Sequence, residues 1–375
     1  MTAFLIFFLV TYSGMHLFVF WHAKVLLPDR WLVLVPAIVF LALMVVSPIA
    51  VRLLEKNGSF QSAHWVANVG YWWMGFLFLS FCGLLLLRAL GLLVRVTSAA
   101  FSSTIPALVG PTPILAVFGV ALALCVYGHF EARSIRIERV RIETTKLPVE
   151  VERLKIAQIS DVHLGILVRE TRLQLILDRV REEAPDLLVS TGDFVDGQMD
   201  HLNGLSELFR DIRPRFGKYA VTGNHEFYAG LNQSLEFTRQ CGFTVLRGEQ
   251  RSPGDVITIA GIDFREMGSL TDQMSLLTST RRDLFTLFLK HEPVVAPASH
   301  GLFDLQLSGH VHRGQIFPFN LVTGFVYPMQ NGSHNLPGGS RLHTNRGSGT
   351  WGPPMRVFSP PEVTIIELVR AASSP

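Results

Sequence analysis

Residues 155–165 read KIAQISDVHLG, an apolar run that stops abruptly at Ser160, Asp161 and His163. Ile156, Ala157 and Ile159 give the run its strand character, and the polar cluster marks its carboxyl end. Short apolar runs at 187–190, 219–221, 256–260, 285–289 and 305–307 read as further strands. All but the third of these lead into a polar block: TGDFVDG (191–197), TGNHE (222–226), LKHEP (289–293) and LSGHVHRG (307–314). Helical periodicity fills the gaps at 169–183, 204–212, 232–241 and 294–299, so the spacing predicts a layered α/β domain with a substantial core.

In such a domain the carboxyl ends of the strands open onto one crevice, where residues distant in sequence converge. Asp161, His163, Asp193, Asn224, His225, His291, His310 and His312 all follow strands in this way. Singly, each has a plain structural reading, because Asp after a strand caps a helix and a lone His is usually packed. Jointly they form a set of oxygen and imidazole donors suited to Zn, Mn or Fe rather than to a thiolate site. Cys82, Cys125 and Cys241 form no CxxC pair and no disulfide framework.

The chain has 375 residues, 49% hydrophobic and 17% charged, and its first 130 positions are nearly free of Asp and Glu. That asymmetry separates a membrane part from a soluble part. Four apolar segments, 3–25, 31–54, 66–93 and 106–130, each approach the ~20 residues that span a hydrocarbon core. Trp21, Trp31, Trp65, Trp72 and Trp73 cluster near their ends, where amphipathic rings favour the headgroup layer. The first segment is too long for the core of a signal peptide and lacks a basic leader, so it reads as a span. With the amino terminus inside, Arg52, Lys56, Arg133, Arg136, Arg139 and Arg141 fall inside, against Lys24, Arg30, Arg88 and Arg95 outside, which favours a cytoplasmic catalytic half. That tally holds only for four spans, since one more or fewer inverts it.

The expected organisation is a transmembrane region at 1–130, a linker and first strand at 131–152, a catalytic domain at 153–369 and a disordered tail at 370–375. Ile135, Ile137, Val140 and Ile142 make the first strand an edge strand. The Gly- and Pro-rich stretch 332–361 reads as long loops before a last strand at 362–368.

The ordered blocks D-x-H, G-D-x-x-D, G-N-H-E, H and G-H-x-H resemble the pattern of the calcineurin-like metallophosphoesterases. With LKHEP, DLQLSGHVHRGQ and PPEVTIIEL (360–368), they resemble its membrane-associated bacterial branch, called YkuE or YaeI type, over residues 150–369. The resemblance implies a layered β-sandwich flanked by helices, preceded here by an all-α transmembrane bundle of about four helices. It implies two divalent ions, chosen among Mn, Zn, Fe and Mg. Asp161, His163, Asp193 and His312 would hold one and Asp193, Asn224, His291 and His310 the other, with Asp193 bridging. Such a pair activates a hydroxide for in-line attack at phosphorus. His225 matches the family's non-ligand histidine that contacts the phosphoryl group, with Asp196 orienting it; the competing reading for His225 is a structural role. HVHRG stands where HTHGG is usual, and GNHE where GNHD is equally familiar. Arg313 either reaches an anionic substrate or is an exposed loop charge.

The expected activity is hydrolysis of a phosphate mono- or diester by a membrane-anchored enzyme of the bacterial inner membrane. Proximity to the bilayer points to a phospholipid or nucleotide-lipid substrate. One alternative makes the membrane part a transporter or sensor with a regulatory soluble domain, but the apolar segments carry no interior Asp or Glu to mark an ion path. The other is a nucleic-acid phosphodiesterase. A net charge of only +3, with no long run of Lys or Arg, disfavours a nucleic-acid partner.

Overall fold

A computed structural model describes residues 2–101, 110–197, 199, 202, 204–264 and 270–371. The start of the expected fourth span (106–109) and most of the expected tail (372–375) lie outside the described residues. The chain divides into two compact units, Met1–Phe130 with Gly352–Met355, and Glu131–Trp351 with Arg356–Pro375.

The first unit holds four helices: α1 (Thr2–Ala23), α2 (Trp31–Lys56), α3 (Phe60–Phe101) and α4 (Pro111–Glu131). Each is long and apolar enough to cross a membrane. Tyr12, Val19, Leu77, Leu84 and Ile114 form a shared core. Trp73 Nε1–H donates to His16 Nε2 at 2.9 Å, and Arg88 Nε–H donates to His22 Nε2 at 2.7 Å, so two histidines of α1 are tied to α3. Pro36 and Pro48 interrupt the hydrogen-bond ladder of α2.

The second unit contains β1 (Arg136–Thr144), β2 (Arg153–Ile159), α5 (Glu170–Glu183), β3 (Leu187–Ser190), β4 (Lys218–Ala220), α6 (Asn224–Ala229), α7 (Leu231–Gln240), β5 (Thr244–Val245), β6 (Glu249–Arg251), β7 (Ile257–Gly261), α8 (Leu270–Thr278), β8 (Phe285–Leu289), β9 (Leu305–Ser308), α9 (Phe319–Val326), β10 (Gly332–Asn335), β11 (Arg341–Thr344) and β12 (Glu362–Arg370). Two six-stranded sheets form, in the orders β1-β12-β2-β3-β4-β5 and β10-β11-β9-β8-β7-β6. β2, β3, β4 and β5 run parallel, as do β7, β8, β9 and β11.

Period-two alternation sorts the side chains. Leu154 and Ile156 of β2 enter a core shared with Ile259, Leu287, Leu289 and Leu307 of the other sheet. Ala157 and Ile159 point the opposite way, against Leu173, Ile176, Leu177 and Val180 on one stripe of α5. On the far side, Ala260 and Phe288 pack against Leu276 and Leu277 of α8. The unit is therefore an α/β sandwich, two sheets face to face with helices outside.

Three expectations change. The helical pattern at 204–212 contracts to a 3-10 turn, Leu205–Phe209, and that at 294–299 to Pro297–Ser299, where Pro293 and Pro297 withhold backbone donors. Residues 332–361 are not all loop: β10 pairs with β11, and β11 extends the sheet parallel to β9. RLHT carries no periodic signal of its own, and tertiary pairing makes it a strand.

Candidate metal centre

Asp161 and His163 follow β2, Asp193 follows β3, Asn224 and His225 open α6 after β4, His291 follows β8, and His310 and His312 follow β9. The two sheets thus bring residues as distant as Asp161 and His312 to one place. His163 Nε2 lies 3.0 Å from His312 Nε2, and His312 Nε2 lies 3.4 Å from Asp161 Oδ1. His310 Nδ1 lies 3.0 Å from His291 Nε2, which is 3.2 Å from Asp193 Oδ2. The same Asp193 oxygen is 3.9 Å from His163 Nε2, so it stands between the two imidazole pairs. The triads Asp161, His163, His312 and Asp193, His291, His310 each bring one donor atom per residue to within 4.8 Å of the others.

Tight turns make this approach feasible. Asp161, His163, Asp193, His310 and His312 all adopt left-handed backbone, with φ from 49° to 73°. Each such residue costs on the order of 1–3 kcal/mol, and strain of this kind concentrates where function over-determines geometry. Gly192, at φ +96°, admits no side chain: a Cβ there would lie 2.6 Å from Gly223 N and 2.7 Å from His291 Nδ1. Gly309 is equally confined, by Ser160 and Asp161.

Hydrogen bonds orient each donor. His291 Nδ1–H donates to Thr191 O at 2.8 Å, which turns Nε2 toward Asp193 at 3.2 Å. Asp161 accepts from His310 N–H at 3.0 Å and from Ser160 Oγ–H at 2.6 Å. Arg356 Nη2–H donates to His312 Nδ1 at 3.1 Å and so turns Nε2 of that ring toward His163 and Asp161. Burial pushes His163 down to about 3 and His312 well below the ordinary imidazole value, which keeps both rings neutral. Burial pushes Asp161 up to about 6 against the pull of His291. Burial also opposes ionisation of Asp193, but His291 and His225 hold it well below the usual carboxylate range.

The donor set fits divalent metal ions. Two pairs of imidazole nitrogens, each 3.0 Å apart, converge beside the Asp161 and Asp193 carboxylates. Asn224 Oδ1 is buried and accepts no hydrogen bond among the described residues, an orphaned oxygen of the kind a cation satisfies.

His225 sits beside the donors. Its backbone N–H donates to Asp193 Oδ1 at 2.9 Å, and its Nδ1 lies 2.9 Å from Asp196 Oδ1. Burial alone would push this imidazole down, but Asp193 and Asp196 outweigh it and lift it to about 9. Its ring is flanked by Trp351 at 5.8 Å and Tyr228 at 5.4 Å, both exposed. Arg313 is half-buried, with left-handed backbone at φ 48°.

Residues outside the predicted set belong to the framework. The Glu226 carboxylate accepts backbone N–H groups from Asp193 (3.0 Å), Phe194 (2.7 Å), Val195 (3.3 Å) and Gly223 (2.6 Å), and so holds the Asp193 turn against the start of α6. Its place in GNHE was the available signal. Arg356, fully buried, donates to the carbonyls of Arg346 (2.6 Å) and Gly349 (2.6 Å) as well as to His312. Tyr327 lies 3.4 Å from His310 Nε2 and donates to Glu292 at 3.3 Å. Nothing local in the sequence distinguished Arg356, Tyr327 or Trp351.

Two sheets with helices outside and a buried Asp, Asn and His cluster at their strand ends define a metal-dependent hydrolase of phosphate esters. The profile of the calcineurin-like phosphoesterases matches residues 154–314. The chain is 39% identical over 255 residues to an uncharacterized metallophosphoesterase of Aquifex aeolicus, covering 66% of this chain and 97% of that protein. It is 30% identical over 372 residues to a Danio rerio transmembrane protein with metallophosphoesterase domain, covering 92% and 82%. Identity to the uncharacterized metallophosphoesterase YkuE of Bacillus subtilis is 31% over 252 residues, covering 64% and 87%. The chain belongs to the calcineurin-like phosphoesterase family.

Proposed function

We propose that this chain is a membrane-anchored phosphoesterase with a dinuclear centre. Asp161, His163, Asp193 and His312 would hold one divalent ion, Mn, Zn, Fe or Mg, and Asp193, Asn224, His291 and His310 the other. The observation that carries this reading is the pair of imidazole couples, each 3.0 Å apart, on the two sides of Asp193. Bound there, such ions supply charge neutralisation at the phosphoryl oxygens and an activated water.

The chain's own residues do the remaining work. Ser160, Thr191 and Arg356 fix the ligand side chains, and Glu226 fixes the turn that carries Asp193. His225, held at Nδ1 by Asp196, is the proton donor to the leaving oxygen. Arg313 and the exposed rings of Tyr228 and Trp351 line the approach on which a phosphate ester is recognised.

The substrate we favour is a lipid-linked phosphate ester at the inner bacterial membrane, with the catalytic unit in the cytoplasm. The four apolar helices and the excess of Arg and Lys on one side of the four-span count support this.

The test uses full-length protein in nanodiscs, stripped by chelator and reloaded with each metal in turn. Two ions per chain should bind, and hydrolysis of a chromogenic phosphodiester, a monoester and phospholipid esters should return with them. Asp193→Ala should lose both ions and turnover, while His225→Ala should keep the ions and lower kcat by about 10²–10⁴-fold. Full turnover in the metal-stripped chain or in Asp193→Ala would falsify the dinuclear reading.

A further inference from the structure

α9 is amphipathic in the reverse sense. On a soluble domain a surface helix turns its apolar stripe inward and its polar face to water. Here Leu321, Val322, Phe325 and Val326 are 66%, 56%, 90% and 62% exposed, while Asn320, Thr323 and Gly324 are the partly covered positions. Thr323 Oγ1–H donates to Gln330 Oε1 at 2.6 Å and Gln330 Nε2–H donates to Asn320 O at 2.9 Å, so the polar face is committed to the protein. Phe317, 44% exposed, stacks edge-on with Phe358, 54% exposed, and lengthens the outward apolar surface.

We infer that α9 is an interfacial element that seats in the surface of a phospholipid bilayer. Two observations select lipid. The chain carries four helices long and apolar enough to cross a membrane, and it passes from α4 to β1 through only four residues, 132–135, so this unit is tethered to whatever bilayer those helices cross. The outward face is also of one kind, Phe, Leu and Val without a charged residue, and Phe and Leu are the residues with which interfacial helices enter the acyl boundary. A helix of eight residues, about 12 Å long, is enough to seat one face.

The position gives this consequence. α9 starts five residues after Gly314 of the His310 and His312 loop and its last residue, Val326, precedes Tyr327, whose hydroxyl lies 3.4 Å from His310 Nε2. Seating α9 therefore sets the candidate metal centre at headgroup depth. The docking itself does not depend on the hydrolytic reading.

Full-length chain with Cys82, Cys125 and Cys241 replaced by Ala is spin-labelled at Phe325→Cys or Leu321→Cys, one chain per phosphatidylcholine–phosphatidylglycerol nanodisc. A reference label at Glu182→Cys reports the exposed face of α5. Relaxation by oxygen should exceed relaxation by an aqueous nickel chelate at 325 and 321, with the order inverted at 182. Lipid-borne nitroxide should broaden the 325 and 321 signals only. Labels at 325 and 321 as open to the nickel chelate as the one at 182 would overturn the inference. So would labels shielded from the chelate and untouched by the lipid-borne nitroxide, because protein then covers the face.

Discussion

Glu226 and Arg356 show how single side chains decide whether the donors converge. Glu226 is a buried carboxylate surrounded by four backbone N–H groups, two of them from the Asp193 turn's own Asp193 and Phe194. Glu226→Ala leaves these donors without an acceptor and should cost about 2–4 kcal/mol, read from denaturant midpoints, and weaken metal binding in a calorimetric titration. Arg356→Met strips the partner from His312 Nδ1 and should weaken metal affinity by about 10–100-fold, the usual effect of removing an outer partner of a ligand. Arg356→Lys should recover only part of this, since an ammonium cannot reproduce the planar fork that meets several carbonyls at once. His225 predicts a pH dependence. Its pKa is lifted from 6.5 to about 9, so the protonated donor is present below the folded value and lost above it. Cations held at Asp193 would remove part of that lift, so the alkaline limb of kcat/KM should fall below about 9. The profile of His225→Ala should lack this limb; a limb that persists unchanged assigns it to another group.

At the scale of elements, the decisive features are the turns that end β2, β3 and β9. Residues two apart, such as Asp161 and His163 or His310 and His312, share a face in an ideal strand, and the left-handed residues at the strand ends turn the chain so that these pairs from different strands meet over one crevice. Gly192→Ala tests this. It adds a Cβ 2.6 Å from Gly223 N in a conformation disfavoured for alanine, and should destabilise the fold by about 2–4 kcal/mol while lowering metal stoichiometry. α9 and β11 are elements the sequence reading did not assign. FNLVTGFV forms a helix whose apolar residues are exposed, and RLHT becomes a strand only because β9 offers an edge.

For the whole molecule, the arrangement of charge along the four apolar helices predicts the side on which the catalytic unit lies. A cysteine at Glu182, in bacteria expressing the chain, should resist a membrane-impermeant maleimide until the membrane is opened; labelling of intact spheroplasts would reverse the assignment. The sequence by itself determined the α/β class and the family, and it marked candidate donors after the strands, because strand ends announce themselves by an abrupt change from apolar to polar. It also determined the four long apolar helices, since crossing hydrocarbon requires length and apolarity that few other structures share. Only the tertiary structure decided that Arg356 meets His312 from 44 positions away, that Glu226 grips a turn 33 positions upstream, and that α9 faces outward. Those are contacts between elements, set by how two sheets pack, and no local pattern of residue types encodes which distant partner a buried polar group will find.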